Sequence, residues 1–395
     1  MKILYITTRL PYPLIGGDKV RAYHMMRLLK KLGHEITLVC LYDEKDDLET
    51  ALTHTEFFDK IYPIKFNTKL AYLNTPWAIL NNRPFIVQYF YSKEMQKQID
   101  KLIKEEHFDI LTGYMPRIAP YYEKHTKENV IIDFCDAFSM TYKRRVNITK
   151  SWFDKFKFTI EHIRMKHLEQ KCIKIFNSQI VISKYDKQYL ESISEKSNLQ
   201  IVGNGVNTDY FTPQSSELKN NICFVGSLRY IANLEAAIYF ATEIFPRIKM
   251  KIPDAKFKII GAYPKPVLYK IGKEIEGIEI TGLVDDVRDY MKDCKVSVCP
   301  VRIAGGIQNK ILEAMSMSIP VVTTTEGAEG IDADENLLRI AKTPEEYAQK
   351  VIEIMTNAEL RNLLAEQSRQ FILDNFSWDK IGKQLNEVMN SAIKG

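Results

Sequence analysis

No stretch of this sequence approaches the roughly eighteen uninterrupted apolar residues of a membrane-crossing helix, so no spanning helix is expected. Cysteine is scarce and unpatterned. The six, at positions 40, 135, 172, 223, 294 and 299, show neither CxxC nor zinc-finger spacing, so no structural metal is expected. Cys40, Cys223 and Cys299 sit inside apolar runs, where a free cysteine serves as a small buried hydrophobe, and this suits a reducing compartment. Excess charge is slight as well. Fifty-five lysines and arginines against 50 aspartates and glutamates leave +5, too weak a bias to argue for a nucleic-acid partner. It leaves room for a local basic patch that meets phosphates or anionic lipid. The opening MKILYITTRLPYPLIGG is broken by an arginine and two prolines and lacks a signal peptide's long apolar core, so a cytoplasmic location is expected. No GxGxxG follows a strand, which disfavours a nicotinamide cofactor. No DxD sits on a strand-end loop either: Asp285 and Asp286 are adjacent, and Asp133 and Asp136 are spaced differently. Metal dependence and resident cofactors are therefore not expected. Internal repeats and low-complexity tracts are missing too.

What is present is a rhythm of strand and helix. With 395 residues, 45% hydrophobic and 27% charged, the chain suits two soluble domains. Apolar runs at 3–6, 36–42, 108–111, 130–134 and 179–183 read as buried parallel strands separated by helices. Ala22, Met25, Leu29 and Leu32 recur at helical spacing, and Gly33 then stops the helix. The rhythm restarts with strands at 221–226, 256–261, 277–281, 295–300 and 319–324. Between the two series lies the turn-rich GNGVNTDYFTPQSSELKNN. This predicts an α/β chain of two doubly wound, Rossmann-like parallel sheets, over residues 1–200 and 201–375. A final helix follows over 376–395, with Trp378, Ile381, Leu385 and Met389 on one stripe. Ligands of such sheets sit beyond the carboxyl ends of the strands, so the loops there are the informative ones.

Two such loops stand out. After the first strand, Gly16 and Gly17 let backbone amides approach an anion at a helix N-terminus, with Arg9, Lys19 and Arg21 adding charge nearby. A flexible connector explains a glycine pair equally well. The stronger signal is PVRIAGGIQNKILEAMSMSIPVVTTTEGAEG (300–330). A Gly305-Gly306 turn opens a helix whose apolar stripe is Ile307, Ile311 and Met315. Lys310 and Glu313, three apart, project from one face near the helix N-terminus, where free amides and the dipole favour a diphosphate. Lys310 suits phosphate as a point cation. Glu313 suits a vicinal diol such as ribose as a hydrogen-bond acceptor. A surface i,i+3 ion pair is the plain alternative.

The segment GIQNKILEAMSMSIPVVTT resembles the donor-binding signature of retaining glycosyltransferase family 4, in the form of a bacterial exopolysaccharide-associated subgroup. PLIGGDKVRAYHMMRLLKKLGHEITLV resembles that family's N-terminal glycine loop and helix, and VGNGVNTDYF its linker. FVGSLRYIANLEAAIYFATEIFPRIK is similar to the opening of its donor domain, and GLVDDVRDYM to the loop near the nucleotide base, which brings in Val284. Five motifs in order, from residue 1 to about 330, imply the GT-B architecture, with the last helix returning to the first domain.

The resemblance implies transfer of a sugar from a UDP- or GDP-sugar to a glycan or lipid-linked acceptor. It places the acceptor in the first domain and the donor in the second. Gly305, Gly306, Ile307, Gln308, Asn309, Lys310 and Glu313 would then line the donor site, with Gly16 and Gly17 across from them. Three departures from the pattern redirect roles. Gly305 occupies the place of the family's first glutamate. Gly226-Ser227-Leu228-Arg229 replaces its arginine–lysine phosphate pair, making Arg229 a shifted candidate, with Lys310 and Arg302 covering the loss. Cys135-Asp136 stands where a histidine is common, making Asp136 the acidic group near the acceptor. A non-catalytic nucleotide-sugar binder and a GT-B epimerase are the alternatives.

Two further stretches, 69–95 and 142–171, mix cations with aromatics. The second is expected to form a basic aromatic helix. Such a helix suits either an anionic membrane surface or an ordinary half-buried position.

Overall fold

The computed structural model describes residues 1–14, 17–149, 151–194, 198–302, 306–334 and 336–394. It divides into two units, Met1–Gly203 with Ile381–Gly395, and Asn204–Lys380. In the first, β1 (Lys2–Thr7), β2 (Glu35–Tyr42), β3 (Lys60–Lys65), β4 (Ile110–Tyr114), β5 (Val130–Cys135), β6 (Ser178–Val181) and β7 (Leu199–Ile201) form one sheet in the order β3-β2-β1-β4-β5-β6-β7. Every pairing is parallel. The apolar runs explain this, because β1, β4 and β5 are buried along nearly their whole length and must be covered on both faces. Helices do the covering. In Gly17–Lys31, Ala22, Met25 and Leu29 are buried while Leu32, just beyond it, is exposed.

The second unit repeats the plan with β8 (Lys219–Val225), β9 (Lys256–Ile260), β10 (Ile278–Gly282), β11 (Cys294–Cys299), β12 (Val321–Thr323) and β13 (Arg339–Ile340), ordered β10-β9-β8-β11-β12-β13. These pairings are parallel too. Both sheets are therefore doubly wound, as the rhythm of the sequence predicts. Their strand order reverses between β1 and β4 and between β8 and β11, and a crevice opens at such switch points.

The last helix, Trp378–Lys394, buries Ile381, Leu385, Val388 and Met389. Gly382 lies so close to Leu28 that a Cβ there would be 3.0 Å from its Cδ2. His34 Nε2 and Asn386 Oδ1 lie 3.3 Å apart. All six cysteines are buried and free.

Two details depart from the sequence reading. Three strands escape it: β3, β7 and β13, each at a sheet edge. Pro63 is tolerated inside β3 because an edge strand has a side with no ladder bond to make. The single helix expected over 142–171 is two, Phe138–Ile148 and Trp152–Ile175. Ser151 starts the second by accepting from the Asp154 amide at 3.3 Å, an N-cap that ends one helix and begins another.

Candidate active site

The second unit gathers its chemistry at the β8/β11 switch point. Lys310 lies in the first turn of the helix Asn309–Ser316, whose Ile311, Leu312 and Met315 are buried. Gly306 enters that helix with φ +62°, the left-handed region glycine adopts without strain. Lys310 Nζ donates to Asn233 Oδ1 at 3.0 Å and to Gln308 Oε1 at 3.2 Å. Asn233 Nδ2 in turn donates to the Ser227 carbonyl at 3.0 Å. The asparagine thus couples the lysine to the loop after β8. A Cβ at Gly226 would fall 2.8 Å from Asn233 Nδ2, so this contact requires glycine.

Glu313 projects one turn along from Lys310. It makes no side-chain hydrogen bond among the described residues. The residue as a whole is half-buried, yet protein crowds its carboxyl. Desolvation pushes its pKa up to about 7, against the pull of the Lys310 ammonium. A carboxylate held at this cost without a donor is ready to accept hydrogen bonds from a ligand.

The other expected donor residues fall around this pair with different duties. Ile307 is buried. Asn309 Oδ1 accepts from Asn204 Nδ2 at 3.2 Å, tying the helix start to the chain that enters the unit. Arg302 bonds Glu235 through its Nε at 2.9 Å and lies 4.2 Å over the Tyr239 ring. Its charge is therefore already matched. Arg229 is exposed and stacks 3.9 Å over Tyr263, which has a left-handed φ of +62°. Val284 is half-buried in the loop after β10. There Arg288 grips Asp286 with its Nε 2.9 Å from Oδ2, and stacks 3.6 Å over Tyr210. Arg288 holds the Asp286 carboxyl down at about 2. Gly305 lies outside the described residues.

The structure adds residues that the sequence reading missed. Asn233 is one. Arg369 is another: it donates to the Ser316 carbonyl at 2.7 Å and the Phe211 carbonyl at 2.9 Å, fixing the far end of the Lys310 helix. The one signal for Asn233 is a lone polar residue on a buried helical face, beside Ala232, Ala236 and Ala237.

In the first unit, Gly17 opens its helix and Gly16 lies outside the described residues. Asp18 sits in that first turn, 3.0 Å from Arg9 Nη1 and 3.5 Å from Arg117 Nη2. Burial would raise its carboxyl, but Arg117 and Arg9 hold it below the ordinary range. Lys19 pairs with Asp47 at 3.6 Å. Arg21 corrects the sequence reading. Rather than lending charge to an anion, it is 1% exposed and bidentate to Asp133 at 2.9 and 3.2 Å. It also donates to the Val202 and Gly203 carbonyls at 2.9 and 2.7 Å.

Asp136 follows β5 directly after Cys135, whose φ is +63°. Burial and the nearby Asp186 carboxylate push its pKa well up. Asp186 itself accepts from the Ala137 amide at 2.9 Å, and Glu169 from the Ser139 amide at 3.1 Å. Asp136 accepts from the Cys135 thiol at 3.4 Å and, among the described residues, from no backbone amide.

Comparison with known proteins agrees with this geometry. Residues 219–357 match the family model described as "Glycosyl transferases group 1". An uncharacterized 44.6 kDa protein from the cps region of Klebsiella pneumoniae is 23% identical over 389 residues, covering 96% of this chain and 97% of its own. An uncharacterized glycosyltransferase of Methanocaldococcus jannaschii is 29% identical over 209 residues, 51% of this chain and 56% of its own. Among solved structures, sucrose-phosphate synthase from Thermosynechococcus elongatus superposes with a TM-score of 0.75 at 12% identity, covering 100% of this chain and 99% of that one. TarM gives 0.73 at 12% identity, covering 98% of each chain. Anabaena HepE, solved with UDP and glucose, gives 0.70 at 12% identity, covering 99% of this chain and 100% of its own.

The class is thereby defined: the chain is a glycosyltransferase of the GT-B fold. The match to the glycosyl transferases group 1 model falls within its second unit.

Proposed function

We propose that this protein transfers a sugar, with retention of configuration, from a UDP- or GDP-sugar to a glycan or lipid-linked acceptor in surface polysaccharide or glycoconjugate synthesis. The observation that carries the reading is the Lys310–Glu313 pair: a cation and an unpartnered carboxylate with its pKa raised to about 7, one turn apart at a switch point. The cps-region relative supports a polysaccharide setting. The second unit takes the donor and the first the acceptor, with Asp136 as the acidic group near the acceptor and Gly16 and Gly17 as donor-binding residues. The reading includes peripheral contact of the first unit with an anionic membrane surface.

The chemistry needs the leaving diphosphate stabilised, the anomeric carbon kept dry and the acceptor hydroxyl aimed. Lys310 and the amides at its helix N-terminus face the developing diphosphate charge, with Arg229 at the rim; these groups suffice without a metal. Gly306, Gln308 and Asn309 shape the backbone that approaches the phosphates. Glu313 accepts hydrogen bonds from donor hydroxyls, and Val284 borders the base. As the bond from the anomeric carbon to phosphate oxygen breaks, the bond to the acceptor oxygen forms on the same face. The acceptor proton passes to the departing phosphate. No protein nucleophile is required.

The test is transfer by Lys310→Ala and Glu313→Ala, with a thermal-shift screen of nucleotide sugars identifying the donor. Each variant should lose about 10²–10³-fold in kcat/KM while keeping its fold. Unchanged turnover in both would refute the reading. Donor binding with no turnover across many acceptors would favour a non-catalytic binder. Release of an altered sugar without any acceptor would favour an epimerase.

A further inference from the structure

The first unit carries large apolar side chains that stand about half exposed or more. In the helix Trp152–Ile175, Glu161, Met165, Leu168 and Cys172 form the buried stripe. Phe153, Phe156, Ile160 and Ile163 form a second stripe, spaced three, four and three apart, on another face. Phe153, Phe156 and Ile163 are 61%, 62% and 49% exposed, and Trp152 at the helix start is 80% exposed. A helix apolar on two faces, with one of them packed, has an unused partner surface. The segment Thr68–Leu80 repeats the pattern. Leu70, Tyr72, Leu73, Trp77, Ile79 and Leu80 are each more than half exposed, on two short helices held by the buried Ala71 and Ala78.

Both segments pack against the short helix Phe85–Tyr89. Glu161 accepts from the Phe85 and Ile86 amides at 2.8 and 3.1 Å. Arg164 lies 4.7 Å over the Phe85 ring, and Tyr72 stacks against Tyr89 at 5.2 Å.

Charge identifies the occupant. From Lys60 to Lys93 there are five lysines and arginines and no acid. From Ala137 to Ile160 there are six, against the single Asp154. Each of these segments alone carries a net +5, equal to that of the whole chain. Lys60 and Arg83 pair with Glu106 and Glu123, but Lys65, Lys69, Lys143, Lys155 and Lys157 make no ion pair among the described residues. A protein partner's apolar patch would not call for so many uncompensated cations, whereas an anionic bilayer does. Two of the three tryptophans, Trp77 and Trp152, lie in this surface, and tryptophan favours the boundary between headgroup and acyl chain.

We propose that the helix face of Trp152, Phe153, Phe156 and Ile163, together with the Leu70–Leu80 segment, docks on an anionic phospholipid surface. Aromatics enter the headgroup boundary while Lys69, Lys143, Lys155 and Lys157 meet lipid phosphates. The surface deepens the membrane contact of the proposed function, yet it stands or falls without any sugar transfer. No helix among the described residues is long and apolar enough to cross the bilayer, so the attachment is peripheral.

The experiment is flotation of the full chain with phosphatidylcholine vesicles containing or lacking about 30 mol% phosphatidylglycerol, read alongside tryptophan fluorescence. The chain should float with the anionic vesicles alone, shift its emission to the blue, and release at about 0.5 M salt. The triple variant Trp152→Ser, Phe153→Ser, Phe156→Ser should lose at least about tenfold in partitioning with an unchanged melting profile. Lys155→Glu with Lys157→Glu should lose more than about 25-fold, since each cation near the surface is worth about fivefold. Absence of flotation with anionic vesicles would overturn the proposal. So would a concentration-dependent dimer abolished by the triple variant, which would make this face a contact between two copies. Transfer to a soluble acceptor is measured separately, so failure here leaves the glycosyltransferase reading intact, and the converse also holds.

Discussion

Replacing Glu313 by glutamine separates a binding carboxylate from a structural one. Burial lifts this carboxyl from an ordinary 4.5 to about 7. A raised pKa means the native protein holds the proton more tightly than the unfolded chain does. The carboxyl therefore adds no penalty below about pH 4.5, and its charge costs stability progressively as pH rises through 7. The full shift corresponds to about 3.4 kcal/mol, and solvent screening of a half-buried residue reduces this to about 2 kcal/mol. Glutamine keeps the shape without the charge. At about pH 8.5 the variant should melt about 4–8 °C higher in the second-unit transition, and at about pH 5 the gap should close. Thermal unfolding across this range decides it. A variant less stable at every pH, or a gap that does not change with pH, would refute the argument. Donor binding gives a second readout. Hydroxyls that donate to the carboxylate favour its charged form, so binding near pH 7 should release about half a proton. Calorimetry in buffers of different ionisation enthalpy measures that release. In Glu313→Gln it should vanish, and donor affinity should fall about 10–100-fold, as expected for losing hydrogen bonds to a charged group. Greater stability with poorer binding is the mark of a group retained for function.

Three further outcomes follow from the geometry. Asn233→Ala removes the bridge between Lys310 and the Ser227 carbonyl and should lower kcat/KM about tenfold, read from initial rates. Asp133→Asn leaves the Arg21 guanidinium buried without its counter-charge and should cost the first unit about 3–5 kcal/mol in urea unfolding. Pairing Asp133→Leu with Arg21→Met should cost far less, and a loss under about 1 kcal/mol from the single variant would contradict the account. Asp136→Asn should raise the KM for the acceptor while donor affinity, measured by calorimetry, stays unchanged; an effect on donor affinity alone would place the residue on the wrong side of the reaction.

The residues show why part of this was legible in the sequence and part was not. Central strands announce themselves because burial on both faces demands continuous apolar runs, as in the stretch around Ile3–Ile6. Edge strands carry no such demand. KIYPIK in β3 exposes its ends and carries a proline, and β13 is two residues long. The Lys310–Glu313 pair was legible because helical geometry alone sets a spacing of three. Asn233 lies 77 residues from Lys310, and only the β8-to-β11 switch brings the two together. The same limit produced the error over Arg21. Its neighbourhood in sequence, beside a glycine pair and Lys19, suggested a phosphate. Its helical phase said otherwise, because Arg21 shares a stripe with the buried Met25 and Leu28. A cation on a buried stripe must find a buried anion, since leaving it unpaired would cost several kcal/mol. Asp133 at the end of the buried β5 was the available partner, 112 residues away. Read by phase rather than by proximity, Arg21 belongs to the framework that fixes the Val202–Gly203 exit from the first unit. The chemistry then falls to cations such as Lys310, which lies beside the apolar stripe of its helix.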